Sequence, residues 1–433
     1  MSFLLLRPGA VLAILASALG GSAIVAGAEP LTLEAAQRRA VARSLSIPAQ
    51  DAAAAGAHEL AVAAGQLPDP VLNLGVDNLP IDGVDRFSLA RDFMTMRRIG
   101  FMQELTRAEK RHLRAQRFER EAEQSLAQKN ALIAATQRDT ALAWLDRYYT
   151  QTMIAVVGEQ AGAVQREILA AESAYRAGRG SQADIFAAHG ALAGLEDRKS
   201  ELKRRVATAT IALARWIGMD ADAPLGDKPV IDTLRLNTGA LDQELDHHPQ
   251  IGVLAKQIEV AEAEARLAQA DRKPDWSVEL SYAQRGPAYS NMVSLGISVP
   301  LQWDRKNRQD RELAARLAQV EQARAQREDM RRAHIAEVQA MLREWENGRE
   351  RLARYRGEII PLAAERTRAT LSAYRGAKAS LNEFLQSCRN EIDVQIQALQ
   401  LEADTARLWA QLSFLLPHGS AAPAVGATQA GAQ

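Results

Sequence analysis

A long stretch of the chain without proline constrains the fold more than any other feature of the sequence. None of the 15 Pro lies between Leu105 and Met219. From about Arg107 to Tyr175 there is also no glycine before Gly158. Proline and glycine are the residues that most strongly disfavour a helix interior. A helix of ~65 residues would be about 100 Å long, and no globular domain of this size contains one. The segment therefore predicts a coiled coil or a bundle of long helices.

The apolar residues of the second half support this prediction, because they keep the spacing of a coiled-coil seam. The seam residues are Ile335, Val338, Leu342, Trp345 and Leu352. Aromatic residues make up only 5% of the chain, too few for a typical compact globular core. Lys plus Arg and Asp plus Glu number 53 each, so the chain has no general basic field for nucleic acid.

Short motifs occur twice in the same order, roughly 200 residues apart, a period far above that of solenoid repeats. The matched motifs are Pro68-Asp69 and Pro274-Asp275, Ile99-Gly100-Phe101 and Leu295-Gly296-Ile297, Lys110 and Lys306, and Ala174-Tyr175-Arg176 and Ala373-Tyr374-Arg375. We interpret the chain as two tandem repeats, residues 29–230 and residues 231–418.

Each repeat is predicted to contain a helix, two β-strands and a long coiled-coil helical hairpin. In the first repeat the strands are expected at about 70–79 and 97–105, and the hairpin at about 106–217. In the second repeat the strands are expected at about 276–284 and 292–303, and the hairpin at about 306–416. The fold class is therefore mainly α with a small β part.

The strands of the second repeat alternate between apolar and polar residues. Trp276, Val278, Leu280 and Tyr282 share one face. Alternation over about ten residues is typical of a transmembrane β-strand, although one half-buried hairpin in a soluble domain has the same pattern. Four strands cannot close a barrel, since the smallest closed barrels need about eight. If these strands enter a membrane, several copies of the chain must share one barrel.

Both ends of the chain are predicted to lie outside the fold. Residues 1–28 resemble a signal peptide, with Arg7 before the apolar segment 11–19 and Ala26-Gly27-Ala28 as a cleavage site. The apolar run 10–28 could alternatively serve as a membrane anchor. Residues 419–433 are rich in Ala, Gly and Gln and are expected to be disordered. The single cysteine, Cys388, excludes a disulfide framework and is expected to be a small buried side chain.

The order of these parts resembles the TolC family of outer-membrane efflux channels over nearly the whole mature chain. Within that family the sequence is most similar to the heavy-metal efflux branch. The residues that carry this finer likeness are Asn78-Leu79-Pro80, Asp92-Phe93-Met94-Thr95-Met96, Gly100 with Gln103, and Lys110-Arg111.

The resemblance implies a homotrimer in the outer membrane of a Gram-negative bacterium, with a large periplasmic extension. Four strands from each chain would form a twelve-stranded barrel in contact with outer-membrane lipid, and the hairpins would form an α-helical tunnel across the periplasm. The tunnel would dock on a periplasmic adaptor protein, and through it on an inner-membrane pump of the RND type. Such a channel is a passive exit duct without a cofactor.

The turns between the two helices of each hairpin are the candidate docking sites for the adaptor. These tip residues are Gly178, Arg179, Gly180, Ser181 and Asp184 in the first repeat, and Gly376, Ala377, Lys378 and Ser380 in the second. Ser181 with Asp184, and Ser380 with Glu383, have the spacing of capping boxes at the start of the returning helices. The family's usual glycine position falls on Ala377, with a glycine displaced to Gly376.

The resemblance also places Glu383 near the periplasmic aperture. One carboxylate from each protomer could form an acidic ring there that favours cations. The cap at the start of the helix would by itself account for a glutamate at this position.

Other candidate sites carry weaker signals. Met94 and Met96 could be soft-metal ligands in an extended loop, but two methionines without histidine or cysteine make a poor site. The adjacent His247 and His248 precede Pro249 at a predicted helix start and do not converge on one ion. The sequence has no phosphate-loop spacing and no nucleophile motif, which predicts no cofactor and no enzyme.

Three functions therefore remain open. The leading hypothesis is the outer-membrane duct of a tripartite efflux system that exports heavy-metal cations. The same fold could instead export organic compounds or secreted proteins. A hypothesis of another class is a periplasmic coiled-coil adaptor or scaffold without a pore.

Overall fold

A computed structural model describes residues 30–178, 181–234 and 246–415 of the chain. The predicted signal peptide at 1–28 and the predicted tail at 419–433 lie outside the described residues. The same is true of the tip residues Arg179 and Gly180.

The described chain is mainly helical, as predicted, and in each half two strands lie between a preceding helical segment and a long helical hairpin. The first half consists of α1 (Leu33–Arg43), α2 (Ser46–Ala64), β1 (Val71–Asp77), β2 (Met96–Leu105), α3 (Ala108–Arg176), α4 (Gln182–Ile217) and a 3₁₀ turn (Gly218–Asp222). The second half consists of α5 (Pro249–Ala270), β3 (Trp276–Gln284), β4 (Met292–Ser298), α6 (Gln309–Arg354), a π-helix (Tyr355–Ile359), α7 (Ile360–Arg375) and α8 (Leu381–Ser413). The predicted long helix is α3, which has 69 residues.

The four strands form one antiparallel sheet in the order β1-β2-β3-β4. β4 ends at Ser298, before the predicted end at about 303. Pro300 follows within two positions, and it has no N–H to donate to a strand ladder. The chain then passes through turns before α6 begins at Gln309.

The apolar side chains of the sheet are exposed in the single chain. Leu74 is 71% exposed on β1 and Ile297 is 65% exposed on β4. A monomeric soluble protein rarely exposes a contiguous apolar surface of this kind. The sheet therefore needs a covering that the single chain does not supply.

Among the described helices, none has both the length and the apolar character needed to cross a membrane.

Two tryptophans anchor the long helices to the segments that lead into each half. The indole Nε1 of Trp144 on α3 donates a hydrogen bond of 2.9 Å to the carbonyl of Leu31. The indole Nε1 of Trp345 on α6 donates one of 3.1 Å to the carbonyl of Ile231. Both tryptophans are buried. The buried tryptophan of α3 and that of α6 therefore lie at corresponding positions along the two helices.

The second hairpin differs from the first because its outgoing helix is interrupted. The π-helix Tyr355–Ile359 separates α6 from α7, and Pro361 lies at the start of α7. Proline has no N–H for the helical ladder and its ring crowds the carbonyl four residues earlier. A wider turn at this position relieves that conflict. In the first half α3 has no proline and no such turn.

The two hairpins pack against each other near their tips. An apolar cluster there joins α3 to α8 and contains Val164, Ile168, Leu381, Phe384 and Cys388. The prediction of a buried Cys388 is confirmed. Burial raises the pKa of its thiol to about 12, so that the side chain remains an inert thiol at neutral pH.

Candidate functional site

The tip of the first hairpin is a tight reversal that begins at the end of α3. Gly178 has a φ of +75°, in the left-handed region that favours glycine. Its N–H donates to the carbonyl of Tyr175 at 2.9 Å, which satisfies one of the last acceptors of the helix.

The tip of the second hairpin has the same geometry with a different residue in the left-handed position. Ala377 has a φ of +57°, whereas Gly376 has a φ of −83°. The N–H of Ala377 donates to the carbonyl of Tyr374 at 2.9 Å, and the N–H of Lys378 donates to that of Ala373 at 2.8 Å. This pair of bonds is a Schellman motif. Gly376 therefore does not adopt the left-handed conformation that a glycine usually has at this turn. Ala377 adopts it instead, at a cost in backbone strain.

Capping boxes at the start of both returning helices are confirmed. The N–H of Asp184 donates to Ser181 Oγ at 3.1 Å, and the N–H of Ser181 donates to Asp184 Oδ2 at 3.2 Å. In the second hairpin the N–H of Glu383 donates to Ser380 Oγ at 3.2 Å, and the N–H of Ser380 donates to Glu383 Oε2 at 2.9 Å. Each box satisfies two donors that a helix start would otherwise leave open.

The carboxylate of Glu383 thus belongs to a helix cap and is also exposed in the single chain. An exposed carboxylate held at a fixed point of the tip is the arrangement that an acidic ring would require.

Side chains from the two hairpins also meet just behind the tips. Arg375 at the end of α7 forms an ion pair of 3.2 Å with Glu167 on α3. Tyr374 stacks on Phe384 with ring centroids 6.4 Å apart. Burial raises the pKa of the Tyr374 hydroxyl, and the nearby carboxylates of Asp184 and Glu167 raise it further. The ion pair joins the two hairpins within one chain, whereas Tyr374 and Phe384 pack the two helices of the second hairpin together.

Two apolar side chains near the first tip point outward. Phe186, on the first turns of α4, is 66% exposed, and Tyr175 at the end of α3 is 46% exposed. The sequence analysis used Tyr175 only as a repeat landmark and did not consider Phe186. An aromatic residue next to a Gly-rich turn is the signal that could have drawn attention to it, since aromatic residues are enriched in protein interfaces.

The buried carboxylate of Glu402, farther from the tips, was not predicted from the sequence. Glu402 on α8 pairs with Lys228 at 2.8 Å and with Arg356 of the π-helix at 3.0 Å, and Tyr149 Oη on α3 lies 3.4 Å away. Burial raises the pKa of Glu402, but hydrogen bonds from Lys228 and Arg356 outweigh it, and the net pKa is lowered. No short motif surrounds Glu402, because its partners come from distant parts of the chain.

The two candidate metal ligands lie at the outer end of the sheet. Met94 is in the loop before β2, with its N–H bonded to Asp92 Oδ1 at 2.8 Å, and Met96 is the first residue of β2, opposite Asp77. Thr95 between them is fully buried, and its hydroxyl donates to the carbonyl of Asn78 at 3.0 Å. Within the described residues, no group of three or more His, Cys, Asp or Glu side chains is placed to hold a metal ion.

Comparison with known proteins agrees with this architecture. Residues 240–418 match the family model described as "Outer membrane efflux protein". This match covers the second half of the chain, which is similar to the outer membrane efflux protein family. No curated protein matches the sequence.

Solved structures of outer-membrane channels share the fold of this chain at low sequence identity. The outer-membrane channel OprN has a TM-score of 0.75 and 16% identity over 89% of this chain and 90% of its own. CusC, whose structures concern transmembrane channel formation, has a TM-score of 0.76 and 14% identity over 89% and 92%. The open MtrE outer membrane channel of Neisseria gonorrhoeae has a TM-score of 0.71 and 14% identity over 89% and 88%.

The family match over residues 240–418 and the shared fold together indicate the location of the protein. The protein resides in the outer membrane with a periplasmic extension, as predicted. The family consists of efflux channels and not of enzymes. Its channels are trimeric and work with adaptors and inner-membrane pumps.

Proposed function

We propose that this chain is one third of the exit duct of a tripartite efflux system for heavy-metal cations. Three copies would combine their strands into a twelve-stranded barrel and their hairpins into a periplasmic tunnel. The observation that carries the proposal is the combination of an exposed apolar sheet with helices as long as α3, which has 69 residues. Such a helix is about 100 Å long, a length that suits a tunnel and not a compact scaffold. Two tandem repeats per chain would explain the matched order of elements.

The hairpin tips are proposed as the docking surface for a periplasmic adaptor. Both are tight turns with small residues, and both begin their returning helices with a capping box. Small residues beside a capped helix start would let a partner approach the backbone closely. The exposed Phe186 adds an apolar contact beside the first tip.

Glu383 is proposed as the acidic group at the periplasmic aperture. Three ionised carboxylates around a narrow opening attract cations and repel anions. This assignment supports a cation cargo, as does the resemblance of the segment 92–103 to the heavy-metal branch. A duct of the same fold for organic compounds or secreted proteins is the alternative.

Two experiments test the proposal at separate levels. Membrane fractionation followed by an unboiled gel should find a heat-modifiable oligomer in the outer membrane, and a soluble periplasmic monomer would contradict the channel. Growth of a deletion strain on graded metal salts, compared with dyes and antibiotics, tests the cargo. Unaltered metal tolerance together with greater sensitivity to organic compounds would contradict the metal assignment and leave the channel intact.

A further inference from the structure

The apolar face of the sheet ends in two exposed tryptophans. β4 forms an open edge of the sheet, because within the described residues it pairs only with β3. From Leu295 to Trp303 every second residue is apolar and exposed, and Trp303 is 88% exposed. Trp276, the first residue of β3, is also exposed. Tryptophan is enriched where a membrane protein passes from lipid into water, so these two side chains mark one boundary of the lipid around the sheet.

This boundary faces the periplasm. The strands are antiparallel, and the long helices connect to the sheet at the same end. α2 and α5 precede β1 and β3, whereas α3 and α6 follow β2 and β4. Because the helices form the periplasmic extension, the tryptophans at this end lie at the level of the lipid headgroups of the periplasmic leaflet.

A cavity of about 420 Å³ lies next to these tryptophans, between the start of α3, the end of α5 and the turns before α6. Lys273 in its wall is three positions before Trp276, and Arg305 is two positions after Trp303. The volume falls within the ~300–1,000 Å³ that is typical of ligand pockets. One lining side chain is anionic, Glu109, and the cationic ones are Arg266, Arg272, Lys273 and Arg305. The cavity is therefore suited to an anion.

Ion pairs neutralise only part of this positive charge. Lys273 Nζ lies 2.7 Å from Glu109 Oε2. Asp310 Oδ1 is shared by Arg272 Nε at 2.9 Å and Arg305 Nε at 3.4 Å. Four cations thus have two carboxylates between them, which leaves two positive charges uncompensated among these side chains.

Arg266 differs from the other cations of the cavity. It is exposed, and among the described residues it has no hydrogen-bond or ion-pair partner. The turn that carries Arg305 is anchored to the end of α5, since Gln302 Nε2 donates to the carbonyl of Asp271 at 3.1 Å. The cavity thus combines an unpaired guanidinium on a helix with cations on an anchored turn.

The first half of the chain forms the same helix-to-strand connection without these cations. Asp275 lies 206 positions after Asp69, at the same point of the connection. At this spacing the positions that match Arg266, Arg272 and Lys273 hold Leu60, Gln66 and Leu67. A helix can therefore lead into a strand here without cations. The fold does not require the three charges, which favours a role in binding.

We propose that the cavity binds the phosphate group of an anionic phospholipid from the periplasmic leaflet of the outer membrane. Arg and Lys side chains form charge-assisted hydrogen bonds with phosphate oxygens. The acyl chains of the lipid then lie along the exposed apolar residues from Leu295 to Trp303, which a free phosphate would not contact. The inference rests on the sheet being the membrane part of the proposed channel, and it adds a ligand that an exit duct does not by itself require.

Native mass spectrometry of the full-length oligomer in detergent measures the affinity of the site for phosphatidylglycerol, phosphatidylcholine and inorganic phosphate. The test variant is Arg266→Gln with Lys273→Gln. The matched control is Arg332→Gln with Arg343→Gln, because it removes two exposed cations from the same protein. Both control positions lie about 30 Å or more along α6 from its start.

The wild-type protein and the control variant should bind phosphatidylglycerol more tightly than phosphatidylcholine, and inorganic phosphate only weakly. The test variant should bind phosphatidylglycerol about 30-fold more weakly. This factor corresponds to about 2 kcal/mol, or about 1 kcal/mol for each basic residue near an anionic lipid. Arg266→Gln alone removes no printed contact within the described chain and should weaken binding about fivefold.

Equal affinities of the test variant and the wild-type protein would overturn the headgroup site, as would an equal loss in the control variant. Displacement of the lipid by inorganic phosphate at matched concentration would overturn the lipid assignment. Unboiled gels distinguish these results from a failure of the channel, since the oligomer should persist in the test variant. Absence of an oligomer from outer membranes that contain the wild-type protein would overturn the channel and the headgroup site together.

Discussion

Both halves of the described chain have a helical segment, two strands and a long helical hairpin in that order, and they differ in how regular their hairpins are. The first hairpin has an unbroken α3 and a glycine in its left-handed tip position. The second has a π-helix before α7 and an alanine in the matching position. The tryptophan anchors on α3 and α6 are nevertheless equivalent. The tryptophan anchors are therefore kept in both halves, whereas the π-helix and the alanine at a positive φ occur only in the second hairpin of the described chain.

The largest effect is expected at the junction that the two halves already form. Lys110→Met removes the cationic partner of the half-buried carboxylate Asp275, which keeps only the hydrogen bond from the N–H of Arg107. The loss should be roughly 3–4 kcal/mol, near the lower end for breaking a buried ion pair. Lys306→Met, at the matching position on the open edge, should cost less than about 1 kcal/mol in the dissociated chain because Lys306 is exposed there. Thermal unfolding in detergent, followed by circular dichroism, measures both. Equal small losses would show that the Lys110 pair does not hold the junction.

A somewhat smaller effect is expected from exchanging the proline between the two hairpins. Gly162 lies 199 positions before Pro361, the same spacing that separates Tyr175 from Tyr374. Gly162→Pro should destabilise α3 by about 3 kcal/mol, because the regular helix has no wider turn to receive the ring. Pro361→Ala should change stability by less than about 1 kcal/mol, because the π-helix already accommodates the proline.

Helix content and unfolding temperature of these two variants test this contrast. Gly162→Ala is the control, and it should gain up to about 1 kcal/mol. If Pro361→Ala raised the stability as much as Gly162→Pro lowered it, Pro361 would strain the second hairpin. That result would contradict the expectation that the π-helix accommodates the proline ring.

Features with a local or repeated signal could be predicted from the sequence. The proline-free stretch predicted α3, alternation predicted β3, and serine with an acidic residue three positions later predicted both capping boxes. The π-helix was missed because Pro361 was not weighed as a helix breaker within the second hairpin. The Glu402 cluster was missed because its contacts depend on packing between hairpins. The glycine displaced to Gly376 was noted, but only backbone angles reveal that Ala377 takes the left-handed position.

A pH-dependent difference between the halves is expected from the helices that precede the strands. α2 begins without a side-chain cap, whereas His248 Nδ1 accepts the N–H of Gln250 at the start of α5. Burial lowers the pKa of His248 to about 4, and the neighbouring His334 and Arg138 add to the shift. Because the folded pKa is below the unfolded value, this stability is present above about pH 6.5 and is lost as the pH falls toward 4.

The loss at pH 5 relative to pH 7 should be roughly 2 kcal/mol. His248→Asn keeps a capping acceptor but does not titrate in this range, so the wild-type protein should lose more stability on acidification than this variant. Unfolding measured at pH 7, 6 and 5 compares them. Parallel pH profiles for the two proteins would contradict the buried neutral state of His248.

The smallest effect is expected at the tips, where the order of two residues is inverted between the halves. Ala177-Gly178 ends the first outgoing helix and Gly376-Ala377 ends the second. Gly178→Ala should cost about 1 kcal/mol because a Cβ is disfavoured at a positive φ. Ala377→Gly should raise the free energy of unfolding by up to about 1 kcal/mol, because glycine has no Cβ to strain at this φ. The larger conformational entropy of the unfolded glycine variant reduces this gain.

Hydrogen exchange of the amides at the two tips measures these changes locally, where global unfolding would not detect them. Slower exchange at Lys378 in Ala377→Gly is the expected result, since its N–H bonds to Ala373 across the turn. Faster exchange there would mean that the alanine rigidifies the second tip more than its backbone strain destabilises it. In that case the strain in the second half would be a source of order at the docking surface, and the contrast between the hairpins would lie in their stiffness.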